Sequence, residues 1–119
     1  MAEKRTIIKR PMLKPKYKLW LETENGYVIG KGSFTLLQEI KEKGTLSEAA
    51  KTLNMSYRHA WGIIKNIEKR IGTPVVKTHR GGKYPGGGTK LTQTGLELVK
   101  TYLMFEKTFN RICTNQNKK

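Results

Sequence analysis

The sequence predicts a mainly α-helical fold with a small amount of β-structure, and three observations lead to this prediction. Apolar residues recur at helical spacing through the middle of the chain, between residues that commonly begin and end helices. The pair Asn25-Gly26 separates two β-prone runs, which is typical of a β-hairpin. A glycine-rich, basic stretch at residues 77–92 predicts a second hairpin with a flexible tip.

The first two predicted helices are short amphipathic segments that meet at a glycine. We expect Ser33 to cap the first helix, which carries an apolar stripe and ends at Gly44. Thr45 and Glu48 are spaced as in a capping box, so they predict the start of a second helix. The pair Ala49-Ala50 in that helix is small enough to let a neighbouring helix approach closely.

The third predicted helix is the longer member of a two-helix motif. Ser56 is expected to cap it after a tight turn, and the apolar spacing carries it to about Ile71. A short helix, a turn and a longer helix in this order form a helix-turn-helix, whose second helix enters the major groove of DNA. With the hairpin that follows, the predicted fold is a winged helix-turn-helix.

The last predicted helix follows Thr92, which is expected to cap it. Because apolar residues occupy more than one of its sides, we expect this helix to pair with a second copy of the chain. The competing expectation is that these residues pack on the N-terminal hairpin and leave a monomer. The apolar residues concerned are Leu96, Val99, Tyr102, Leu103, Met104, Phe105 and Phe109.

Composition divides the chain into three regions around one domain. Residues 1–16 form a basic N-terminal arm, which Pro11 and Pro15 keep from forming a long helix. The sequence leaves open whether this arm contacts phosphates or is a disordered tail. Residues 17–113 make up the predicted winged helix-turn-helix domain, and residues 114–119 are a polar tail.

The charge and the reactive side chains bound the possible functions. Lys and Arg outnumber Asp and Glu by 24 to 9, and a domain with net charge +15 usually faces a polyanion. The chain has no Asp, two His and a single Cys, Cys113, so we expect no disulfide within it and no metal cluster. It is therefore predicted to need no cofactor, not to be an enzyme and, lacking a secretory or membrane segment, to be cytoplasmic.

The residues expected to contact DNA lie on the third helix and on the second hairpin. Arg58 can bind guanine through two parallel hydrogen bonds, which reads sequence, whereas Lys65 is better placed for phosphates. Trp61 is expected either in the edge of the core or against DNA, and both alternatives stay open. The candidate DNA-binding residues are Ser56, Tyr57, Arg58, Trp61, Lys65, Arg80, Lys83 and Lys90.

Two stretches resemble the N-terminal DNA-binding domain of ModE-type, molybdate-responsive transcriptional regulators. The run from Gly44 to Trp61 carries the more specific segment, Ser-Tyr-Arg-His-Ala-Trp, and its Leu-Ser-Glu-Ala-Ala part is shared with LysR-type regulators. Gly81-Gly82, Gly86-Gly87-Gly88 and the segment 91–95 resemble the wing and following helix of that family. The resemblance covers residues 30–105 and implies a homodimer joined through the terminal helices. It also implies that the DNA-facing helix carries Ser56, Tyr57, Arg58 and Trp61.

The sequence departs from that family in one large respect. Proteins of the ModE type continue into a molybdate-binding region after this domain, whereas the present sequence ends in a short polar stretch. An oxyanion pocket needs donors that converge from a folded scaffold. We therefore expect no molybdate site.

The leading hypothesis is a sequence-specific transcriptional regulator that binds double-stranded DNA. The alternative is a chromatin-like protein that binds DNA without sequence preference, which the charge of +15 would suit. An enzyme acting on nucleic acid is disfavoured because no catalytic cluster is found. RNA binding has little support, since single-strand readers stack bases on aromatic platforms and only Tyr17, Trp20 and Tyr27 could serve.

Overall fold

A computed structural model describes residues 12–80 and 88–117 of the chain. Within these residues helices predominate, and four short strands pair as two antiparallel hairpins. In chain order the elements are β1 (Trp20–Thr23), β2 (Gly26–Gly30), α1 (Lys31–Lys43), α2 (Leu46–Thr52), α3 (Tyr57–Ile71), β3 (Val76–His79), β4 (Gly88–Leu91) and α4 (Gln93–Asn117). No helix in the described residues combines the length and apolarity that a membrane crossing requires.

The predicted N-terminal hairpin is confirmed, but its turn lies one residue earlier than the predicted Asn25-Gly26 pair, because Gly26 already belongs to β2. Thr23 pairs with Gly26, which leaves Glu24 and Asn25 as the two turn residues. The register shifts between Leu21 and Glu22, so the two strands are not regularly paired along their whole length. The end of β2 is buried and packs on α1 and α3, which attaches the hairpin to the helices.

The start of α1 differs from the prediction, whereas its end agrees with it. The helix begins at Lys31 with Gly30 as its N-cap, so Ser33 lies inside the first turn and the capping prediction for Ser33 was wrong. The physical reason is that β2 runs directly into α1, without a linker in which Ser33 could stand before the helix. Gly44 ends α1 and Gly72 ends α3, each with φ of 83°, a left-handed conformation that glycine adopts at little cost.

The predicted caps of α2 and α3 are confirmed. The backbone N–H of Glu48 donates to Thr45 Oγ1 at 3.0 Å, and that of His59 donates to Ser56 Oγ at 3.0 Å. Each hydroxyl therefore satisfies a backbone donor that has no partner within its own helix. Asn54, with φ of 58°, turns the chain between the two helices and so separates the short helix from the long one.

The β3–β4 hairpin, called the wing below, is tied to the junction of α1 and α2. The N–H of Thr89 donates to the carbonyl oxygen of Gly44 at 2.8 Å, and the N–H of Leu46 donates to Thr89 Oγ1 at 3.2 Å. These two bonds fix the return strand of the wing against the helix-turn-helix. The predicted flexible tip, with Lys83, lies outside the described residues.

The start of α4 is packed closely on Val75, the residue just before β3. As predicted, Thr92 caps the helix, because its Oγ1 accepts from the N–H of Gly95 at 3.1 Å. A Cβ atom built on Gly95 would lie 2.3 Å from the carbonyl oxygen of Val75, so only glycine fits there without movement. At its other end α4 continues to Asn117, through residues 114–117 that the sequence assigned to a polar tail.

The hydrophobic core takes side chains from all four helices and both hairpins. Tyr102 of α4 stacks on Phe34 of α1 with ring centroids 4.3 Å apart, and its hydroxyl donates to the carbonyl oxygen of Leu19 at 3.2 Å. Tyr102 is 1% exposed and Val99 is 5% exposed, so neither can contact a second chain. The prediction that both residues belong to a contact between chains was therefore wrong. The architecture is a winged helix-turn-helix with a small β-hairpin before it and a long helix after it.

Candidate nucleic-acid interface

One face of α3 is buried and the opposite face is open and basic. Ala60, Ile64 and Ile67 are at most 1% exposed and hold the helix against the core. Residues spaced by three, four or seven positions share one side of a helix, so the exposed residues between these positions form a second stripe. That exposed stripe contains Arg58, Gly62, Lys65 and Lys69.

The beginning of α3 presents three predicted contact residues. Tyr57 is 55% exposed, and Arg58 is exposed in the first helical turn. Ser56 is exposed as well, but its hydroxyl already accepts the N–H of His59 and so serves as the helix cap. The structure brings these three side chains together at one end of the helix, where a groove-inserted helix makes its base contacts.

Lys65 is held by two neighbours on its own helix. Its Nζ lies 4.6 Å from the centroid of the Trp61 ring and 3.2 Å from Glu68 Oε1. Trp61 is half-buried and packs against the core, so its ring is a fixed support for the ammonium group. These two contacts place the Lys65 ammonium group between the Trp61 ring and the Glu68 carboxylate.

Glu68 joins α3 to the wing, a role that the sequence analysis missed. Its Oε2 accepts the backbone N–H of Val75 at 2.8 Å and that of Val76 at 3.4 Å. Burial opposes ionisation of this carboxyl, but the N–H of Val75, the ammonium of Lys65 and the N–H of Val76 outweigh it and hold the pKa of Glu68 below its usual value. The available signal was that Glu68 is the sole acid in an otherwise basic helix.

The wing carries a second group of basic residues. Arg80 and Lys90 are exposed, as expected for backbone contacts, and Lys77 stands directly opposite Lys90 in the strand pairing. Residues directly opposite in an antiparallel pair project from the same face, so Lys77 and Lys90 form a cationic pair on the wing. The available signal in the sequence was that Lys77 begins the basic, glycine-rich segment 77–92.

Each aromatic residue considered for RNA binding contacts another side chain of the chain. The hydroxyl of Tyr17 lies 2.6 Å from Asn110 Oδ1, on α4. Trp20 donates its indole N–H to Glu22 at 2.7 Å, and the guanidinium of Arg70 lies 5.3 Å from the centroid of the Tyr27 ring. Trp20 and Tyr27 are both exposed on the β1–β2 hairpin, a two-stranded surface that is smaller than the sheet platform used by single-strand readers.

Comparison with known proteins agrees with this architecture. Residues 32–96 match the family described as bacterial regulatory helix-turn-helix protein, lysR family. Molybdenum transport protein ModE of Azotobacter vinelandii is 33% identical over 89 residues, which cover 75% of this chain and 33% of that protein. Transcriptional regulator ModE of Haemophilus influenzae is 37% identical over 73 residues, which cover 61% of this chain and 28% of that protein. The chain thus spans about a third of the length of these relatives.

A solved structure shares the fold. The crystal structure of the BenM_DBD/catB site 1 DNA complex superposes with a TM-score of 0.56 at 15% identity, covering 73% of this chain and 90% of that one. At this identity the likeness concerns the fold alone. The family match covers more than half of the chain and includes α2, α3 and the wing. The chain therefore belongs to the lysR family of bacterial regulatory helix-turn-helix proteins.

Proposed function

We propose that this chain binds double-stranded DNA in a sequence-specific manner and regulates transcription. The observation that carries the proposal is the exposed basic stripe of α3, set opposite a fully buried face and preceded by a capped turn. With α3 in the major groove, Arg58 in its first turn would meet base edges. The H. influenzae relative is named a transcriptional regulator, and the structural neighbour is a DNA complex, which supports this assignment.

The proposed roles separate base reading from backbone contact. We propose that the N-cap Ser56 and the α3 residues Tyr57, Arg58 and Trp61 face the bases, and Arg58 has the chemistry to recognise a guanine. Lysine and arginine contacts to phosphates position a protein but do not specify sequence. The residues proposed to contact the DNA backbone are Lys65 on α3 and Arg80, Lys83 and Lys90 on the wing. We add Lys77 of the wing to this set.

A chromatin-like protein without sequence preference is the second candidate. The net charge of +15 favours it, because phosphate neutralisation alone gives substantial affinity at low salt. Selection of bound duplexes from a random pool distinguishes the two functions. Sequence-specific binding enriches one recurring site over successive rounds, whereas binding without preference leaves the pool random. A pool that stayed random at moderate salt would refute the proposed regulator.

We also propose that two copies pair through the outer half of α4. Met104, Phe105, Phe109 and Ile112 are 55%, 40%, 38% and 49% exposed, an apolar surface that a monomer would leave in water. Tyr17 covers part of it, since its ring centroid lies 5.4 Å from that of Phe109. A two-fold pair of chains would present two α3 helices to a palindromic operator. Such a regulator would act in the cytoplasm.

A further inference from the structure

A cleft of about 470 Å³ lies between the end of α1, the wing strands and the start of α4. No residue of α2 or α3 is among those that line it. This volume falls within the range of small-molecule sites, which is roughly 300–1,000 Å³. The lining residues are Ile40, Lys41, Gly44, His79, Thr89, Lys90, Leu91 and Leu96.

The interior of the cleft is apolar. Leu91 is half-buried against the core and offers a fixed aliphatic wall, whereas Ile40 is fully buried and has no surface for a ligand to touch. Leu96 is 38% exposed, which places a large aliphatic side chain in contact with water at the cleft. A ligand with an apolar body would remove this surface from water, and that removal favours binding.

The charged groups of the cleft are lysines. Lys41 and Lys90 line it, and no carboxylate among the described residues does. Among the described residues the ion pairs are Lys31–Glu106 and Lys65–Glu68, so neither cleft lysine takes part in one. The end of α1 carries the negative pole of its helix dipole, but Lys41 in the last turn offsets that pole. The charge of the cleft therefore suits an anion.

The walls of the cleft are held together by the bonds that fix the wing. Thr89 is 6% exposed, donates its N–H to Gly44 at 2.8 Å and accepts the N–H of Leu46 at 3.2 Å. The imidazole of His79 lies close over Gly88, since a Cβ atom built there would be 2.6 Å from His79 Cε1. A ligand would thus meet a largely preformed site, as small-molecule sites usually are.

We propose that this cleft binds a small organic anion, a carboxylate carried on an apolar body, and that its occupation weakens DNA binding. The carboxylate pairs with Lys41 and Lys90, and the apolar body packs on Leu91 and Leu96. The second half of the proposal rests on the proposed function, because it requires Lys90 to contact DNA phosphates. A ligand that engages Lys90 withdraws that contact, and DNA in turn weakens the ligand, since coupling between sites is reciprocal.

The site is tested on the free protein with phenylacetate as the probe and phenylacetamide as its neutral counterpart. Backbone amide NMR should give saturable shifts that centre on Gly44, Leu91 and Leu96. The amide should bind about fivefold more weakly, because ion pairs with exposed lysines contribute modestly. Lys41→Gln should weaken phenylacetate binding, whereas Lys43→Gln, an exposed lysine of the same helix end outside the cleft, should not.

Three results on the free protein would overturn the site. These are shifts that do not saturate, equal binding of phenylacetamide, and equal effects of Lys41→Gln and Lys43→Gln. Inorganic phosphate is titrated as a further control. If it produced the same saturable shifts, the cleft would be a phosphate contact instead of an organic-anion site. None of these measurements involves DNA, so they hold whether or not the proposed function does.

The coupling is tested separately by DNA titration with and without saturating phenylacetate. The dissociation constant for DNA should rise severalfold, and Lys90→Gln should abolish the effect of phenylacetate. An unchanged dissociation constant in the wild type would refute the coupling. Failure of the chain to bind any duplex, with the free-protein shifts intact, would refute the proposed function and leave the cleft as an organic-anion site.

Discussion

Arg58 is the side chain whose chemistry separates sequence reading from general attraction to DNA. It is exposed in the first turn of α3, where a bidentate contact with guanine is possible. We expect Arg58→Ala to lose about 1–3 kcal/mol of binding to the selected site and much less to random DNA. The matched control is Lys69→Ala, on the same stripe, which should weaken both duplexes equally. Equal losses from Arg58→Ala would remove its base-reading role.

Glu68 is the residue that holds the wing strand against α3. Val75 and Val76 are buried, so Glu68→Ala leaves their N–H groups without an acceptor and should cost about 1–3 kcal/mol of unfolding free energy. Glu68→Gln keeps an acceptor and should cost less, while Glu42→Ala, an exposed acid of α1, should change little. Urea unfolding measures all three, and equal stability of Glu68→Ala and wild type would contradict this role.

The stability supplied by Glu68 depends on pH in a defined direction. Because its folded pKa is lowered from the usual 4.5, the ionised carboxyl stabilises the fold fully above that pH. The difference between wild type and Glu68→Gln should therefore shrink as the pH falls from 4.5 through the folded pKa. A difference that stayed constant across this range would show that the charge of Glu68 contributes nothing.

Caps were predictable from the sequence, and longer-range partners were not. The bonds of Thr45, Ser56 and Thr92 to N–H groups three residues ahead are local, so short motifs reveal them. The partners of Glu68 stand seven and eight residues later, beyond the end of its helix. Ser33 has the chemistry of a cap but not the position, because the preceding strand leads straight into the helix.

The contact between α4 and the wing is a property of two elements rather than of one residue. Gly95 permits it, since an added Cβ would meet the Val75 carbonyl. We expect Gly95→Ala to destabilise the protein by about 1–3 kcal/mol, the usual cost of overpacking. Gly62→Ala is the control, because nothing lies within 4 Å of its Cβ position and the helix should gain up to about 1 kcal/mol. If urea unfolding showed Gly95→Ala to be more stable than Gly62→Ala, this packing would be contradicted.

The helices and both hairpins could be predicted because their periodicity and turn residues are local signals. Which residues of α4 are buried and which are exposed could not be predicted, because periodicity identifies the apolar faces of a helix but not the elements that cover them. Val99 and Tyr102 are buried in the core, where Tyr102 stacks on Phe34 of α1, while Met104 and Phe105 stay exposed. The sequence consequently assigned too many residues to a contact between chains. Lys77 was missed for a similar reason, because its place in the basic surface of the wing depends on Lys90 across the strand pair.

At the scale of the whole molecule, the exposed end of α4 predicts a dimer. A chain of 13.6 kDa should sediment at twice that mass at micromolar concentration and moderate salt. The charge of +15 on each chain opposes association, so added salt should tighten the dimer by screening repulsion. Phe105→Ser should favour the monomer, and Lys107→Ser, an exposed polar position on the same helix, should not. A wild-type species of 13.6 kDa under these conditions would refute both the dimer and the palindromic operator.

The ratio of dissociation constants for a scrambled and a selected duplex tests the central claim most directly. Both duplexes must have the same length and be measured at the same moderate salt, because phosphate contacts depend on ionic strength. Sequence-specific reading by α3 predicts that the selected duplex binds at least about a thousandfold more tightly. Dissociation constants that agree within a factor of a few would contradict the account, and would leave a basic protein that binds DNA through charge alone.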